Sequence, residues 1–92
     1  MPTTSSGTAL DAAETLGLRV LAFIVGDGEL GPRFLDLTGL DVATLRAHAS
    51  TPAVLAAVFN FLEEHEPSLV ATAAALGVAP AALTAANRAL AR

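Results

Sequence analysis

Glycine and proline divide this 92-residue chain into short segments, and within each segment the apolar residues recur at the spacing of an α-helix. Gly26, Gly39 and Gly77 each follow such a segment, as a residue that ends a helix does. Pro52 and Pro80 each stand where a new segment begins, at the first helical position that proline favours. No segment alternates between apolar and polar residues for long enough to be a strand. The pattern therefore predicts an all-α fold, a compact bundle of about five to six short helices with helix-turn-helix-like glycine corners.

These breaks also predict the extent of each helix. We expect a disordered polar tail over residues 1–7 and a single helical domain over residues 8–92. The first helix should cover residues 9–25. Its apolar stripe contains Gly17, which lowers helix propensity, so another helix should approach its backbone closely there. We expect helices to start at the caps Thr8, Asp41 and Thr51 and at the prolines Pro67 and Pro80. Pro32 should lie in the first turn of the second helix.

The composition favours helix and an incompletely buried apolar surface. The chain contains 21 alanines and 15 leucines, both strong helix formers. Hydrophobic residues make up 53% of the chain and charged residues 15%, below the roughly 25% that is usual in soluble domains. A domain of this size has much surface for its volume, so some apolar side chains should remain exposed and favour self-association.

Charge and cysteine content exclude several classes of function. The net charge of −4 repels nucleic acid and anionic lipid, so we expect neither as a partner. Without cysteine there is no disulfide, thiol nucleophile or thiolate metal site, and a cytoplasmic location is expected.

Residues 1–7 contain no basic residue and no apolar block, so we expect no secretory signal. The uncharged residues 68–86 are mostly alanine and are interrupted by Gly77 and Pro80, so we expect no membrane span.

No group of residues has the spacing that catalysis or metal binding requires. His65 lies among Glu63, Glu64 and Glu66, but metal ligands on one helical face need spacings of three or four residues. His48, the other histidine, belongs to a different helix. No pair of carboxyl groups stands out as a buried general acid and base. We therefore expect no metal, no cofactor and no enzymatic activity.

One unit recurs in the chain and has the form of a helix-turn-helix corner. Residues 37–45 and 75–83 share a glycine, the hydrophobic residue that follows it and a leucine six positions after the glycine. The second copy resembles the DNA-binding version of this motif at its packing positions. Under that alternative, the last helix would contact DNA through Thr84, Asn87, Arg88 and Arg92, although no basic cluster accompanies them.

Three segments in the first two thirds of the chain are distinctive: GPRFLDLTGL at residues 31–40, LR at residues 45–46 and VLAAVFNFL at residues 54–62. Through them, residues 9–91 resemble a small bacterial family of domains of unknown function, whose members are short, all-helical and rich in alanine and leucine. The resemblance implies a helical fold and implies no activity.

Three apolar residues do not fit the buried faces of the predicted helices. Leu18 projects between Asp11 and Glu14 on the polar side of the first helix, and Phe23 and Phe61 lie at the edges of apolar stripes. We expect these three residues to form an interaction face. The sequence thus predicts a small soluble protein without catalytic activity that binds a protein partner or a second copy of itself. DNA binding by the C-terminal helix is the alternative.

Overall fold

The computed structural model of the protein describes residues 5–91, and it describes side chains over residues 10–91. This part of the chain forms six α-helices and no strand, which confirms the predicted all-α bundle. The helices are α1 (Ser5–Gly26), α2 (Leu30–Thr38), α3 (Val42–His48), α4 (Pro52–Glu63), α5 (Glu66–Leu76) and α6 (Pro80–Leu90).

Two of the predicted caps begin helices as expected. The Asp41 carboxylate accepts a hydrogen bond from the backbone N–H of Thr44 at 2.7 Å, at the start of α3. This bond holds the pKa of Asp41 below its ordinary value, because it favours the charged carboxylate. The Thr51 hydroxyl accepts from the backbone N–H of Val54 at 3.4 Å, and Pro52 follows as the first residue of α4. Both caps satisfy N–H groups that have no partner within the helix.

The first helix begins earlier than predicted. It starts at Ser5, so Thr8 lies inside α1 and does not cap it, and the expected start at residue 9 is wrong. No proline lies between residues 5 and 31, so no residue of this segment blocks the extension of the helix toward Ser5. Residues 1–4 of the predicted tail lie outside the described residues.

The turn into α2 is organised by an aspartate that the sequence pattern identified only as part of a turn. The Asp27 carboxylate accepts hydrogen bonds from the backbone N–H groups of Glu29 at 2.8 Å and Leu30 at 2.9 Å. These bonds, that of Leu30 first, hold the pKa of Asp27 below its ordinary value. The helix α2 starts at Leu30, so Pro32 lies in its first turn, as predicted.

Both predicted glycine corners are present. Gly39 and Gly77 have a φ of 74°, the left-handed conformation that ends a helix. At the second corner, Gly77 donates to the carbonyl of Ala74 and Val78 donates to the carbonyl of Ala73, which is the Schellman arrangement. The axes of α5 and α6 differ by 101°, within the range of helix-turn-helix units.

The core lies where α1, α4 and α6 pack against one another. Gly17 permits the closest approach, because a Cβ atom there would lie 3.0 Å from Cδ2 of Leu55 and 3.3 Å from Cε2 of Phe59 on α4. This confirms the predicted approach of a second helix at Gly17. The largest fully buried side chains are Phe34, Phe59, Ile24, Leu55, Leu62 and Leu83.

The third helix is the least embedded of the six. It has seven residues, and Leu45 is the one among them that is buried. By contrast, α4 buries six of its twelve residues. A short helix with a single buried anchor cannot cover the surface beside it completely, which leaves a depression between α3 and α1.

No single helix in the described part of the chain is long and apolar enough to cross a membrane; the bent pair of α5 and α6 meets the length and composition criteria only when taken together.

Candidate interaction surface

The three residues predicted to form an interaction face have different environments. Leu18 is exposed, at 39% of its surface. Phe23 is half-buried and packs against the core. Phe61 is 7% exposed, and its ring meets that of Phe34 edge to face, with centroids 5.3 Å apart and planes at 78°. The assignment of Phe61 to an exposed face is therefore wrong, because α2 places Phe34 against that side of α4.

An apolar groove runs between α1 and α3, and we call it the α1–α3 groove. Its volume is about 400 Å³. Its lining consists of Leu18, Leu21, Ala22 and Val25 from α1, Val42, Leu45 and Arg46 from α3, and Ala49, which follows α3. Leu21 and Leu45 are buried and form its floor. Arg46 is the one charged side chain in this lining.

Large aliphatic side chains stand exposed along the groove. Leu18 is 39% exposed, Val25 42% and Val42 47%. Single exposed aliphatic residues are ordinary on protein surfaces, but three around one concave apolar depression are typical of a binding surface. The sequence pattern had identified Leu18 alone of these three, because Val25 and Val42 lie at helix ends where periodicity carries little information.

A second groove lies between α1 and α6 and consists mainly of alanine. Its volume is about 360 Å³, and it is lined by Ala12, Ala13, Leu16, Ala82, Ala85, Ala86 and Ala89. Side chains this small offer a partner little contact area. The α1–α3 groove is therefore the stronger candidate for binding.

The residues proposed for DNA contact are only partly available on α6. Asn87 donates from its amide nitrogen to the Asn60 side-chain oxygen at 2.9 Å and to a Glu63 carboxylate oxygen at 3.2 Å. These bonds tie α6 to α4 and place a carboxylate beside the helix that would read DNA. Thr84 is half-buried and Arg88 is exposed. Arg92 lies outside the described residues.

The histidine in the acidic segment is engaged in a local contact. Nδ1 of His65 lies 2.6 Å from the hydroxyl oxygen of Ser68, which is itself buried. Among the residues that the structure describes, no three histidine, aspartate or glutamate side chains lie close enough together to hold a metal ion. The contact between His65 and Ser68 lies at the start of α5, whose first residue is Glu66.

One charged side chain links two distant parts of the chain. A guanidinium nitrogen of Arg19 on α1 donates to the backbone carbonyl of Leu76 at 2.9 Å. That carbonyl belongs to the last residue of α5, where a helix has unpaired carbonyl groups and a partial negative charge. Arg19 thus attaches the C-terminus of α5 to α1 and has a structural role.

Comparison with known proteins identifies one family. A family model with the description "Protein of unknown function (DUF3572)" matches residues 10–92. Comparisons with curated proteins and with solved structures give no match. The matched range includes all the residues that line the α1–α3 groove.

Proposed function

Since the chain belongs to the DUF3572 family, whose description states no function, we propose a role from its surface. The protein is a non-catalytic interaction module that binds a protein chain through the α1–α3 groove. The observation that carries this proposal is the exposure of Leu18, Val25 and Val42 around one apolar depression.

The energetic argument concerns surface that folding has left in contact with water. Burial of apolar surface contributes about 25 cal/mol for each Å² removed from water. A helix of a partner chain laid between α1 and α3 would cover the exposed parts of these side chains without disturbing the buried floor. Helices that bind in grooves between two helices use such a surface, with anchors at spacings of three, four and seven residues.

Two further parts of the proposal follow from residue chemistry. We assign no catalytic role, because the groove is lined by aliphatic side chains and by a guanidinium, which does not exchange protons near neutral pH. We also propose a cytoplasmic location, which the absence of cysteine supports.

The experiment that tests the proposal is photo-cross-linking in cells that produce the protein. A photoreactive amino acid replaces Val42 at the groove, and in a matched variant it replaces Val70 on α5. The two valines are equally exposed, at 47% each, so they differ in location and not in accessibility. We expect discrete cross-linked protein species from position 42 and none of them from position 70.

Equal cross-linking from both positions, or none from position 42, would contradict a binding role for the groove. A third variant, with Leu18 replaced by glutamate in addition to the probe at position 42, should lose the specific species, because it introduces a charge into the groove.

DNA binding by α6 is the second candidate, and the 101° angle between α5 and α6 favours it. The net charge of −4 and the contact of Asn87 with Glu63 oppose it. A gel shift with random duplex at low salt tests whether the protein binds DNA, since a DNA-binding protein forms a non-specific complex at a protein concentration of about 50 μM. We expect no complex.

A further inference from the structure

We infer that the partner segment bound in the α1–α3 groove is an amphipathic helix that has an aliphatic face and basic residues at both ends of that face. This inference rests on the proposed function, since it states the chemistry of the chain that the groove binds. It is carried by acidic residues at both ends of the apolar strip that α1 contributes to the groove, together with the carbonyl end of that helix.

The first acidic end continues the exposed face of α1 beyond the groove. The exposed groove residues of this helix are Leu18, Ala22 and Val25. At about 100° per residue, Asp11 and Glu14 project within the same arc of about 80°. Glu14 precedes Leu18 by about one turn, roughly 6 Å along the axis. Asp11 is exposed and Glu14 is half-buried. A partner helix that lies along this strip and extends past Leu18 therefore meets two carboxylates.

The second acidic end is the turn that joins α1 to α2, which contains Asp27 and Glu29. This turn folds back on the end of α1, because the backbone N–H of Asp27 donates to the carbonyl of Ile24 at 3.1 Å. Gly31 lies so close to α1 that a Cβ atom there would be 3.2 Å from the carbonyl oxygen of Val25. The two acidic residues thus lie beside the end of α1 at which Val25 lines the groove.

The backbone adds negative potential at the same end. The last carbonyl groups of a helix have no partner within the helix and carry a partial negative charge. The helix α1 has 22 residues, ends at Gly26 and has no basic residue in its last turn. Asp41, which directly precedes the groove residue Val42, adds a further carboxylate beside the groove. A cation brought to this end by a partner is therefore stabilised by side chains and by the backbone.

The one cation of the lining does not reverse this balance. Arg46 stands in the last turn of α3, where its charge offsets the partial negative charge of that helix end. The acidic residues along the strip and beside the groove outnumber it; they are Asp11, Glu14, Asp27, Glu29 and Asp41. The net charge of −4 for the whole chain also attracts a basic partner.

The same charges disfavour a second copy of this chain as the occupant. An antiparallel pair of α1 helices would bring Glu14 of each copy level with the acidic turn of the other, and a parallel pair would bring the two copies of Glu14 together. Like charges placed opposite each other in an interface repel. A helix with lysine or arginine at both ends instead matches acid at both ends of the strip.

The length of the strip sets the spacing of the basic residues in the partner. From Glu14 to the acidic turn, α1 rises by about 20 Å at 1.5 Å per residue. A partner helix covers this length in about 13 residues. Its aliphatic anchors then recur at three, four and seven residues between the two basic ends.

The test is the binding of two synthetic peptides to the purified full chain, measured by fluorescence anisotropy. Each peptide has about 14 residues and the same leucine and alanine face, with two lysines at each end in one peptide and two glutamates at each end in the other. We expect a Kd on the order of 50 μM for the lysine peptide. The glutamate peptide should bind at least about tenfold more weakly, because several exposed charge pairs act together. Raising the salt from about 50 mM to about 500 mM should reduce this difference.

Charge variants locate the binding on the protein. Glu14→Gln combined with Glu29→Gln should weaken binding of the lysine peptide about fivefold, because it removes one carboxylate at each end of the strip. The matched control, Glu64→Gln combined with Glu66→Gln, removes the same charge from exposed positions where α4 meets α5 and should change the Kd by less than about twofold. Arg46→Gln should tighten binding about twofold, because it removes a like charge.

Apolar variants test whether the peptide lies in the groove. Leu18→Ser should weaken binding of the lysine peptide about tenfold, because it removes an exposed anchor of the groove. Val70→Ser, at an exposed valine on α5, should leave the Kd unchanged. Circular dichroism should show the same helix content in all variants.

Several results would overturn the basic helix as the occupant. They are a lysine peptide that does not bind, a glutamate peptide that binds equally well, equal losses from the two pairs of glutamine variants, or a dimer of the chain that Leu18→Ser dissociates in sedimentation equilibrium. The proposed function fails separately, through the cross-linking at position 42. Specific cross-linking there, together with no binding of the lysine peptide, retains the groove as a binding site and rejects the basic helix.

Discussion

The hydroxyl group of Thr72 offers a direct test of how this core is held together. Thr72 lies on α5 and is fully buried. Among the described residues, no group makes a hydrogen bond with its Oγ1 atom. We predict that Thr72→Val, which replaces this hydroxyl by a methyl group of similar size, makes the protein more stable.

The expected magnitude follows from the environment of that atom. A buried hydroxyl without a partner costs about 1–3 kcal/mol of desolvation, and valine does not incur this cost. Threonine and valine have similar helix propensities, so the backbone contributes little to the difference. We expect the free energy of unfolding to rise by about 1–2 kcal/mol. For a domain of this length, that corresponds to a Tm increase of about 5–10 °C.

The assay is thermal and urea unfolding followed by circular dichroism, with Thr38→Val as the matched control. Thr38 is also helical, but its hydroxyl donates to the carbonyl of Phe34 at 2.8 Å and accepts from the N–H of Leu40 at 3.3 Å. The same substitution should therefore lower the free energy of unfolding there by about 1 kcal/mol. Both variants are measured at one low protein concentration, so that association does not contribute to the difference.

The prediction is that the two substitutions change the free energy of unfolding in opposite directions. A Thr72→Val variant that is no more stable than the original protein would refute the reasoning, because it would mean that the hydroxyl is satisfied in solution. Equal losses at both positions would lead to the same conclusion.

Three further predictions concern contacts between helices and at their ends. Gly31→Ala should lower the free energy of unfolding by about 1–2 kcal/mol, because its Cβ atom would lie 3.1 Å and 3.2 Å from backbone oxygens of α1; Gly28→Ala, with no atom within 4 Å, should not lower it in the same urea titration. Asp41 has a folded-state pKa below its ordinary 3.8, so the stabilisation by its carboxylate is present above that pH and is lost as the pH falls through the lowered value. In urea titrations, Asp41→Asn should therefore reduce the free energy of unfolding less at about pH 3 than at about pH 6. Arg19→Met removes the hydrogen bond to the end of α5 and should lower the Tm by a few degrees in a thermal scan.

Much of this fold could be predicted because its signals are local. Gly39 and Gly77 end helices because a left-handed residue follows the last turn, and the sequence reveals such a residue directly. Asp41 and Thr51 begin helices through hydrogen bonds to residues three positions away. Gly17 indicated a close helix contact because glycine is costly in mid-helix without one. The caps and corners act within a few residues, whereas Gly17 indicated that a helix approaches but not that this helix is α4.

The surface could not be predicted in the same way. The sequence pattern placed Phe61 at the margin of an apolar stripe and Leu18 on the polar side of α1, yet Phe61 is buried against Phe34 and Leu18 lines an open groove. Periodicity identifies which face of a helix is apolar, but it does not say which neighbour covers the margin of that face. Asn87, a DNA contact under the alternative hypothesis, bonds to a residue 27 positions away.

The amino-acid sequence by itself determined the number of helices, most of their ends and the absence of thiol chemistry. These properties depend on backbone conformations and residue types that act over a few positions. Only the tertiary structure decided which apolar residues stay exposed, since exposure depends on how far each helix extends over its neighbours. The short α3 buries its own Leu45 and leaves Val42, Val25 and Leu18 in contact with solvent. The proposed binding surface thus results from the packing of one seven-residue helix.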